Sequence, residues 1–302
     1  MASPFQTPHL LKSFALVLVF TSVQPAASRP SDRDQLYVAG GSPDQVLDFD
    51  APAGVKNYPT VIFIHGGSLQ ESGERRTAPV YARVCEPFLA SAMGCATIDY
   101  RLAPTHKWPA MPLDAAAAVK WVKGRVAAVG GDPARLFLFG HSSGCHLAAI
   151  LGANPKYLAS AGLTPADLAG VIAMGCVLAP LEQATTRFSI EELRERWPKS
   201  GDVATFGTLD ERLDSDPSRF IGAHMPPTLV VLAEAERFFP AILEQGAKFV
   251  RRLLEAQRPA DLVIVPGRHM TSIGSLWQKD DPTFAAVRKF IADPASAGKG
   301  SR

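Results

Sequence analysis

The chain has 302 residues, of which 47% are hydrophobic and 20% are charged. These are ordinary values for a globular protein, so the composition excludes a disordered chain, and at this length a single domain is expected. The 31 basic and 29 acidic side chains leave a formal net charge of +2, which favours neither a nucleic-acid partner nor binding to an anionic membrane surface.

The N-terminus has the pattern of an export signal. An apolar stretch at 14–23 follows a basic residue and is too short to cross a bilayer. Small residues suited to signal peptidase follow at Ala26 and Ser28. We expect residues 1–28 to be a signal peptide and residues 29–302 to be the mature domain, secreted or periplasmic and without stable membrane insertion. The alternatives are an uncleaved membrane anchor and a wrongly assigned start of the chain.

Further along the chain, apolar strand-like runs alternate with amphipathic stretches of helical length. Two early runs at 35–38 and 46–49 predict an antiparallel hairpin on a sheet edge. The later strand-like runs lie at 60–64, 95–99, 136–139, 170–174, 228–232 and 262–265. The helical stretches lie at 77–92, 113–128, 143–153, 241–257 and 282–292. This alternation predicts an α/β fold, a mostly parallel central sheet with helices on both faces.

One stretch departs from the alternation. Residues 177–226 contain helix-like pieces but no convincing strand. Insertions of this kind in α/β enzymes lie over the C-terminal ends of the strands, where ligands bind. We therefore predict an inserted cap that shapes the substrate pocket.

The cysteines are too few for a dense disulfide framework. They lie in apolar segments, without the spacing to one another or to histidine that a metal site needs. Most are expected to be buried thiols, with one disulfide as the alternative that export would allow. The four are Cys85, Cys95, Cys145 and Cys176.

The strongest catalytic signal is the motif Gly-His-Ser-Ser-Gly at 140–144. It follows the apolar run 136–139 and precedes a helix-like segment, which is the context of a nucleophile held in a sharp turn between strand and helix. Such a turn needs glycine on both sides because the close backbone leaves no room for a Cβ atom. Gly140 and Gly144 supply these positions, so Ser142 is the predicted nucleophile.

A second glycine motif predicts an oxyanion hole. His65-Gly66-Gly67 directly follows the run 61–64, where backbone N–H groups can point at a developing negative charge. The helix after the nucleophile would add the backbone N–H of Ser143. The predicted donors are Gly66, Gly67 and Ser143.

A serine nucleophile requires a general base to take its proton. His269 follows the last strand-like run after a short loop, and it comes after the serine, as the chain order serine, acid, histidine requires. Five other histidines are weaker candidates by position and are expected to be structural or solvated: His65, His106, His141, His146 and His224.

The acid is predicted on the loop that follows the run 228–232. A carboxylate there could hold the tautomer of His269 and stabilise its imidazolium. Glu236 is preferred, and Glu234 stays open because both lie on one short loop whose curvature is not evident from the sequence.

Residues 35–292 resemble the α/β-hydrolase esterases and lipases, particularly the branch related to hormone-sensitive lipase, small carboxylesterases and kynurenine formamidase. The motifs that carry the resemblance are His-Gly-Gly at 65–67, Asp-Tyr-Arg-Leu-Ala-Pro at 99–104, Trp-Pro-Ala at 108–110, Gly-Asp-Pro at 131–133 and Gly-His-Ser-Ser-Gly-Cys-His-Leu-Ala at 140–148. The resemblance implies the α/β-hydrolase fold, a triad of Ser142, Glu236 and His269, and a structural pair of Asp99 with Arg101.

The chain also departs from that family in three places. Ser68 stands where many relatives have a third glycine, and the acid loop has Ala233 and Glu236 where a glycine and an aspartate are usual. The nucleophile motif is more similar to that of the formamidase-related branch.

Together these features predict a serine hydrolase that cleaves a small-molecule carboxylic ester through an acyl-enzyme, with no cofactor, no metal and no nucleic-acid partner. Two alternatives remain: hydrolysis of an N-formyl amide, and a catalytically silent hydrolase-like protein used for binding.

Overall fold

The computed structural model describes residues 31–236, 241–278 and 280–298. The predicted signal peptide at 1–28 lies outside the described residues. Within them, one sheet has the strand order β1-β2-β4-β3-β5-β6-β7-β8. Its strands are β1 (Ser31–Leu36), β2 (Val46–Asp50), β3 (Thr60–Ile64), β4 (Gly94–Ile98), β5 (Leu136–His141), β6 (Gly170–Met174), β7 (Thr228–Ala233) and β8 (Ala260–Val265).

The sheet is mostly parallel, as predicted. Strands β3 to β8 pair in parallel, whereas β1 pairs with β2, and β2 with β4, in antiparallel fashion. The early antiparallel hairpin is therefore confirmed at one edge, although β1 begins at Ser31 rather than near residue 35. Every residue of β3, β5, β6 and β7 is buried, which is typical of parallel strands that are covered on both faces.

The helices cover both faces of the sheet. They are α1 (Glu86–Ala90), α2 (Ala110–Ala128), α3 (Ser143–Ala153), α4 (Pro155–Ser160), α5 (Glu182–Arg187), α6 (Ile190–Arg196), α7 (Val203–Phe206), α8 (Leu209–Asp214), α9 (Ile242–Glu255), α10 (His269–Gly274) and α11 (Pro282–Ala292). Alternate residues of β3 enter different cores. Ile62 packs in a cluster that includes Val119 of α2, and Phe63 packs in another with Phe88 of α1 and Phe290 of α11.

The segment predicted as a helix at 77–92 is helical only in α1. Before α1 the chain runs through successive turns, such as those closed by Tyr81 N–H to Ala78 O and Val84 N–H to Tyr81 O. Arg76 explains the departure, because its backbone N–H and its buried guanidinium both bind Asp99. This long-range contact overrides the local helical pattern.

The segment at 177–226 carries α5 to α8 and no strand. The absence of strands agrees with the sequence pattern. Its helices are short, and α8 places Leu209 and Leu213 in a small apolar cluster of their own with Leu181.

All four cysteines are paired, which corrects the expectation that most are buried thiols. Cys85, just before α1, bonds to Cys95 of β4. Cys145 of α3 bonds to Cys176, which follows β6. The sequence separations of 10 and 31 residues gave no local signal for either pair.

Within the described ranges, the structure contains no helix of the length and hydropathy that membrane spanning requires.

Candidate active site

Ser142 occupies a strained turn between β5 and α3. Its backbone has φ 55° and ψ −126°, which is unfavourable for a residue with a side chain. The flanking glycines are required by close packing: a Cβ atom on Gly140 would lie 2.0 Å from the carbonyl oxygen of Gly144, and one on Gly144 would lie 2.1 Å from that of Ile64. The turn therefore holds the Ser142 side chain at the carboxyl end of the sheet, as the motif predicts.

His269 and Glu236 lie together at the same end of the sheet. His269 begins α10, and its Nδ1 atom is 2.8 Å from Oε2 of Glu236. The Glu236 side chain is fully buried and that of His269 nearly so, at 0% and 6% exposure. Glu234, the alternative acid, is exposed. Of the two candidates, Glu236 is the one that the structure brings to the histidine.

The nucleophile turn and His269 are held together through His141. The rings of His141 and His269 lie 4.8 Å apart between centroids, and His141 Nε2 donates to the backbone oxygen of His269 at 3.0 Å. Among the described residues, no hydrogen bond joins the hydroxyl of Ser142 to the His269 ring. In unliganded sites this contact is often long and tightens when substrate binds.

Tyr81 links His141 to the predicted oxyanion loop, the segment 65–69 that follows β3. Its hydroxyl accepts the Gly66 N–H at 3.2 Å and donates to Nδ1 of His141 at 3.0 Å. Since Nδ1 of His141 accepts, its proton lies on Nε2, where it reaches the His269 carbonyl. Burial, and next the charge of His269, lower the pKa of His141 to about 3, so the ring stays neutral. Tyr81 carries no signal in the sequence for this role, and the motif places His141 only in the turn.

One of the three predicted oxyanion donors is already hydrogen-bonded within the protein. The Gly66 amide is engaged by Tyr81, so it is not free to bind an oxyanion, and this corrects its assignment. Within the described part of the chain, the N–H groups of Gly67, Ser68 and Ser143 donate to no protein acceptor. Ser143 is the first residue of α3, where backbone N–H groups are unpaired by helix geometry. Ser68, which stood out in the sequence only as a departure from glycine, therefore offers an unpaired N–H beside that of Gly67.

Asp99 and Arg101 do not form the predicted pair. Asp99 binds the Arg76 guanidinium at 3.0 Å and His65 Nε2 at 3.2 Å, while Arg101 binds Asp114 at 2.7 Å. Burial would raise the pKa of Asp99, but the contacts with His65 and Arg76 outweigh it and hold that pKa below its usual value. Both residues are structural, through different partners.

A cleft of about 240 Å³ opens beside Ser142. On one side it is lined by the nucleophile turn and by Ser68 and Leu69 of the oxyanion loop. Residues of the segment 177–226 line the other side, among them Phe206 and Arg212, so the inserted segment does shape this cleft. No cluster of three or more potential metal ligands occurs among the residues that the structure describes.

Known proteins share both the sequence pattern and the fold. A family model described as BD-FAE matches residues 47–166. Esterase LipC of Mycobacterium tuberculosis is 30% identical over 234 residues, which cover 72% of this chain and 54% of LipC. Gibberellin receptor GID1 of Oryza sativa subsp. japonica is 39% identical over 108 residues, 34% of this chain and 30% of the receptor. The chain thus spans about half the length of LipC.

The solved structure of a truncated carbohydrate esterase from gut microbiota superposes on the chain with a TM-score of 0.69. The sequence identity is 19%, and the match covers 90% of this chain and 100% of the other. At this identity the likeness shows a common fold. Taken with the strained serine turn and the sequence relatives, it shows that the chain has the α/β-hydrolase fold and is similar in sequence to esterases such as LipC.

Proposed function

We propose that the protein is a serine hydrolase that cleaves small carboxylic esters through an acyl-enzyme. The observation that carries the proposal is the 2.8 Å contact between buried Glu236 and Nδ1 of His269, at the sheet edge where the strained turn presents Ser142. LipC is named an esterase, and so is the structural neighbour; both names support the same chemistry.

In the proposed reaction, Ser142 Oγ attacks the ester carbonyl while Nε2 of His269 takes its proton. Glu236 holds the Nδ1 proton and stabilises the imidazolium. The N–H groups of Gly67, Ser68 and Ser143 bind the oxyanion, and losing one such donor typically costs about 3 kcal/mol of barrier. His269 then protonates the departing alcohol. In the second half of the reaction, His269 takes a proton from water, which attacks the acyl carbonyl, and the proton returns to Ser142 Oγ as the acid leaves.

Covalent labelling tests the nucleophile. A fluorophosphonate probe should label the wild-type protein and a Ser160→Ala control, whose altered serine lies at the end of α4, but not Ser142→Ala. Hydrolysis of 4-nitrophenyl acetate and butyrate should be lost with the same variant. Labelling that persists in Ser142→Ala would refute the assignment.

A second candidate function is ligand binding without catalysis. It is favoured by the match to a protein named as a receptor. Hydrolysis of a panel of short-chain nitrophenyl esters distinguishes catalysis from binding alone. An N-formyl anilide in the same panel tests the alternative substrate, an N-formyl amide. Turnover no higher than that of Ser142→Ala on every member of the panel would favour the binding function.

We also propose that the protein is exported. The pairing of all four cysteines supports this, because disulfides persist in oxidising compartments and are rare in the cytosol. N-terminal sequencing of the protein from the extracellular or periplasmic fraction should find a start close to residue 29. An intact N-terminus on cytoplasmic protein would contradict export.

A further inference from the structure

The cleft beside Ser142 contains a charged pair supplied by the inserted segment. Arg212 of α8 donates from Nε to Oδ2 of Asp202 at 2.8 Å and from Nη1 to the Ser215 hydroxyl at 3.2 Å. Its guanidinium carbon also lies 4.4 Å from the ring centroid of Phe206. Three contacts therefore fix the plane of the guanidinium, and both Arg212 and Asp202 line the cleft.

The pair still has hydrogen-bonding capacity. Among the described residues, Nη2 of Arg212 and Oδ1 of Asp202 take part in no hydrogen bond. The Arg212 side chain is 12% exposed and that of Asp202 46%, so the donor lies deeper than the acceptor. A guanidinium fixed in this way loses little conformational entropy when it binds a ligand.

The charges around the pair favour a neutral polar ligand. Asp202, which also lines the cleft, neutralises Arg212. His146, also in the cleft, adds no charge, because burial and then the charge of Arg212 lower its pKa to about 3. An anionic ligand would meet the Asp202 carboxylate, and a purely apolar ligand would leave the pair desolvated without partners.

We propose that Arg212 and Asp202 form a subsite for a hydroxyl group of the substrate. A hydroxyl both donates and accepts, so it can accept from Nη2 and donate to Oδ1 together. The inference rests on the proposed esterase function and makes hydroxylated esters the preferred substrates. The hydroxyl can belong to the acyl chain or to the alcohol, since both flank the carbonyl that Ser142 attacks.

Two pairs of substrates distinguish these sources. On the acyl side, 4-nitrophenyl 3-hydroxybutyrate is compared with 4-nitrophenyl butyrate. On the alcohol side, 2-hydroxyethyl butyrate is compared with ethyl butyrate, and pH-stat titration measures the hydrolysis of both. The wild-type kcat/KM should be at least about tenfold higher for the hydroxylated member of one pair, the range expected for a hydrogen bond to a charged group. That pair identifies the source.

The variants test the residues. Arg212→Met should bring this kcat/KM ratio to about one, because it keeps an unbranched apolar chain as far as the ε position and removes the donors. Arg194→Met is the matched control: it removes another ion pair of the inserted segment, with exposed Asp210, and should keep the wild-type ratio. Asp202→Asn, at a half-exposed position, should also lower this kcat/KM ratio. It provides the test of the subsite if Arg212→Met does not fold.

A charged substrate tests the role of Asp202. Wild-type protein should hydrolyse monoethyl succinate at least about tenfold less efficiently than ethyl butyrate, because the free carboxylate meets Asp202. Asp202→Asn should narrow that gap. A wild-type preference for monoethyl succinate would overturn the proposal in favour of an anion subsite.

The outcomes separate the two levels of inference. If the plain butyrates are hydrolysed but neither pair shows a preference, or the preference survives in Arg212→Met, the hydroxyl subsite is refuted and the esterase function stands. If no ester is turned over above the Ser142→Ala background, the esterase function is refuted, and the subsite with it.

Discussion

Two glutamates on one loop have different environments because of hydrogen bonds made by the backbone between them. The N–H of Glu234 binds the carbonyl of Val265 at 2.8 Å, and that of Ala235 binds the carbonyl of Gly267 at 3.0 Å. These bonds attach the acid loop to the segment that leads into His269, and they turn Glu236 inward. The sequence left the choice open because both partners of these bonds lie far along the chain.

Replacing each glutamate by glutamine tests which carboxylate acts. Glu236→Gln should lower kcat by roughly 10²–10⁴-fold, since the amide cannot hold the required His269 tautomer or stabilise its imidazolium. Glu234→Gln, at an exposed position, should stay within about twofold of wild type. Steady-state kinetics on 4-nitrophenyl butyrate measures both. Equal losses in the two variants would contradict the assignment.

The neutral buried histidines make stability depend on pH. The pKa values of His141 and His146 are lowered to about 3 in the folded protein, against about 6.5 when unfolded. The unfolded chain therefore binds protons that the folded protein does not. Stability is fully present above about pH 6.5 and falls with pH below it, by about 1.4 kcal/mol per pH unit for each histidine.

Urea unfolding at pH 7 and pH 5 measures this dependence. His146→Gln should show a shallower fall than wild type, because one of the two groups is removed while a polar side chain is kept. Equal free energies of unfolding at the two pH values in the wild-type protein would contradict the prediction.

At the scale of elements, the sequence pattern located the parallel strands and the helices α2, α3, α9 and α11 to within a few residues, because burial on both strand faces and amphipathic spacing are local signals. The pattern failed at 77–92, where the contact of Arg76 with Asp99 overrides it. That failure also hid Tyr81, and with it the engagement of the Gly66 amide. Site residues within contiguous motifs were therefore predictable from the sequence. The availability of the Gly66 amide was not, because it depends on the side chain of Tyr81, which lies outside the motif.

Two glycines with opposite surroundings test the close packing of the nucleophile turn. Gly140→Ala would place Cβ 2.0 Å from a backbone oxygen, so fluorophosphonate labelling should be lost and the free energy of unfolding should fall by about 2–4 kcal/mol. Gly124 lies within α2 with no atom within 4 Å of an added Cβ. Gly124→Ala should raise stability by about 0.5–1 kcal/mol. Denaturant titration and labelling measure both, and an active, stable Gly140→Ala protein would contradict the close packing.

At the scale of the whole molecule, the two disulfides close loops of different length. The bond between Cys145 and Cys176 spans 31 residues, and that between Cys85 and Cys95 spans 10. Chain-entropy arguments give about 3–4 kcal/mol for the longer loop and somewhat less for the shorter. Guanidinium unfolding of the two double-alanine variants should show both losses in that order, and a reversed order would contradict the entropic account.

The bond between Cys145 and Cys176 joins the nucleophile helix α3 to the residue just before the inserted segment 177–226. Any movement of the inserted segment away from the cleft must therefore begin beyond Cys176, while the nucleophile turn and α3 stay in place. Substitutions in the inserted segment can then change which substrates enter the cleft without moving Ser142, so that selectivity and turnover can evolve separately.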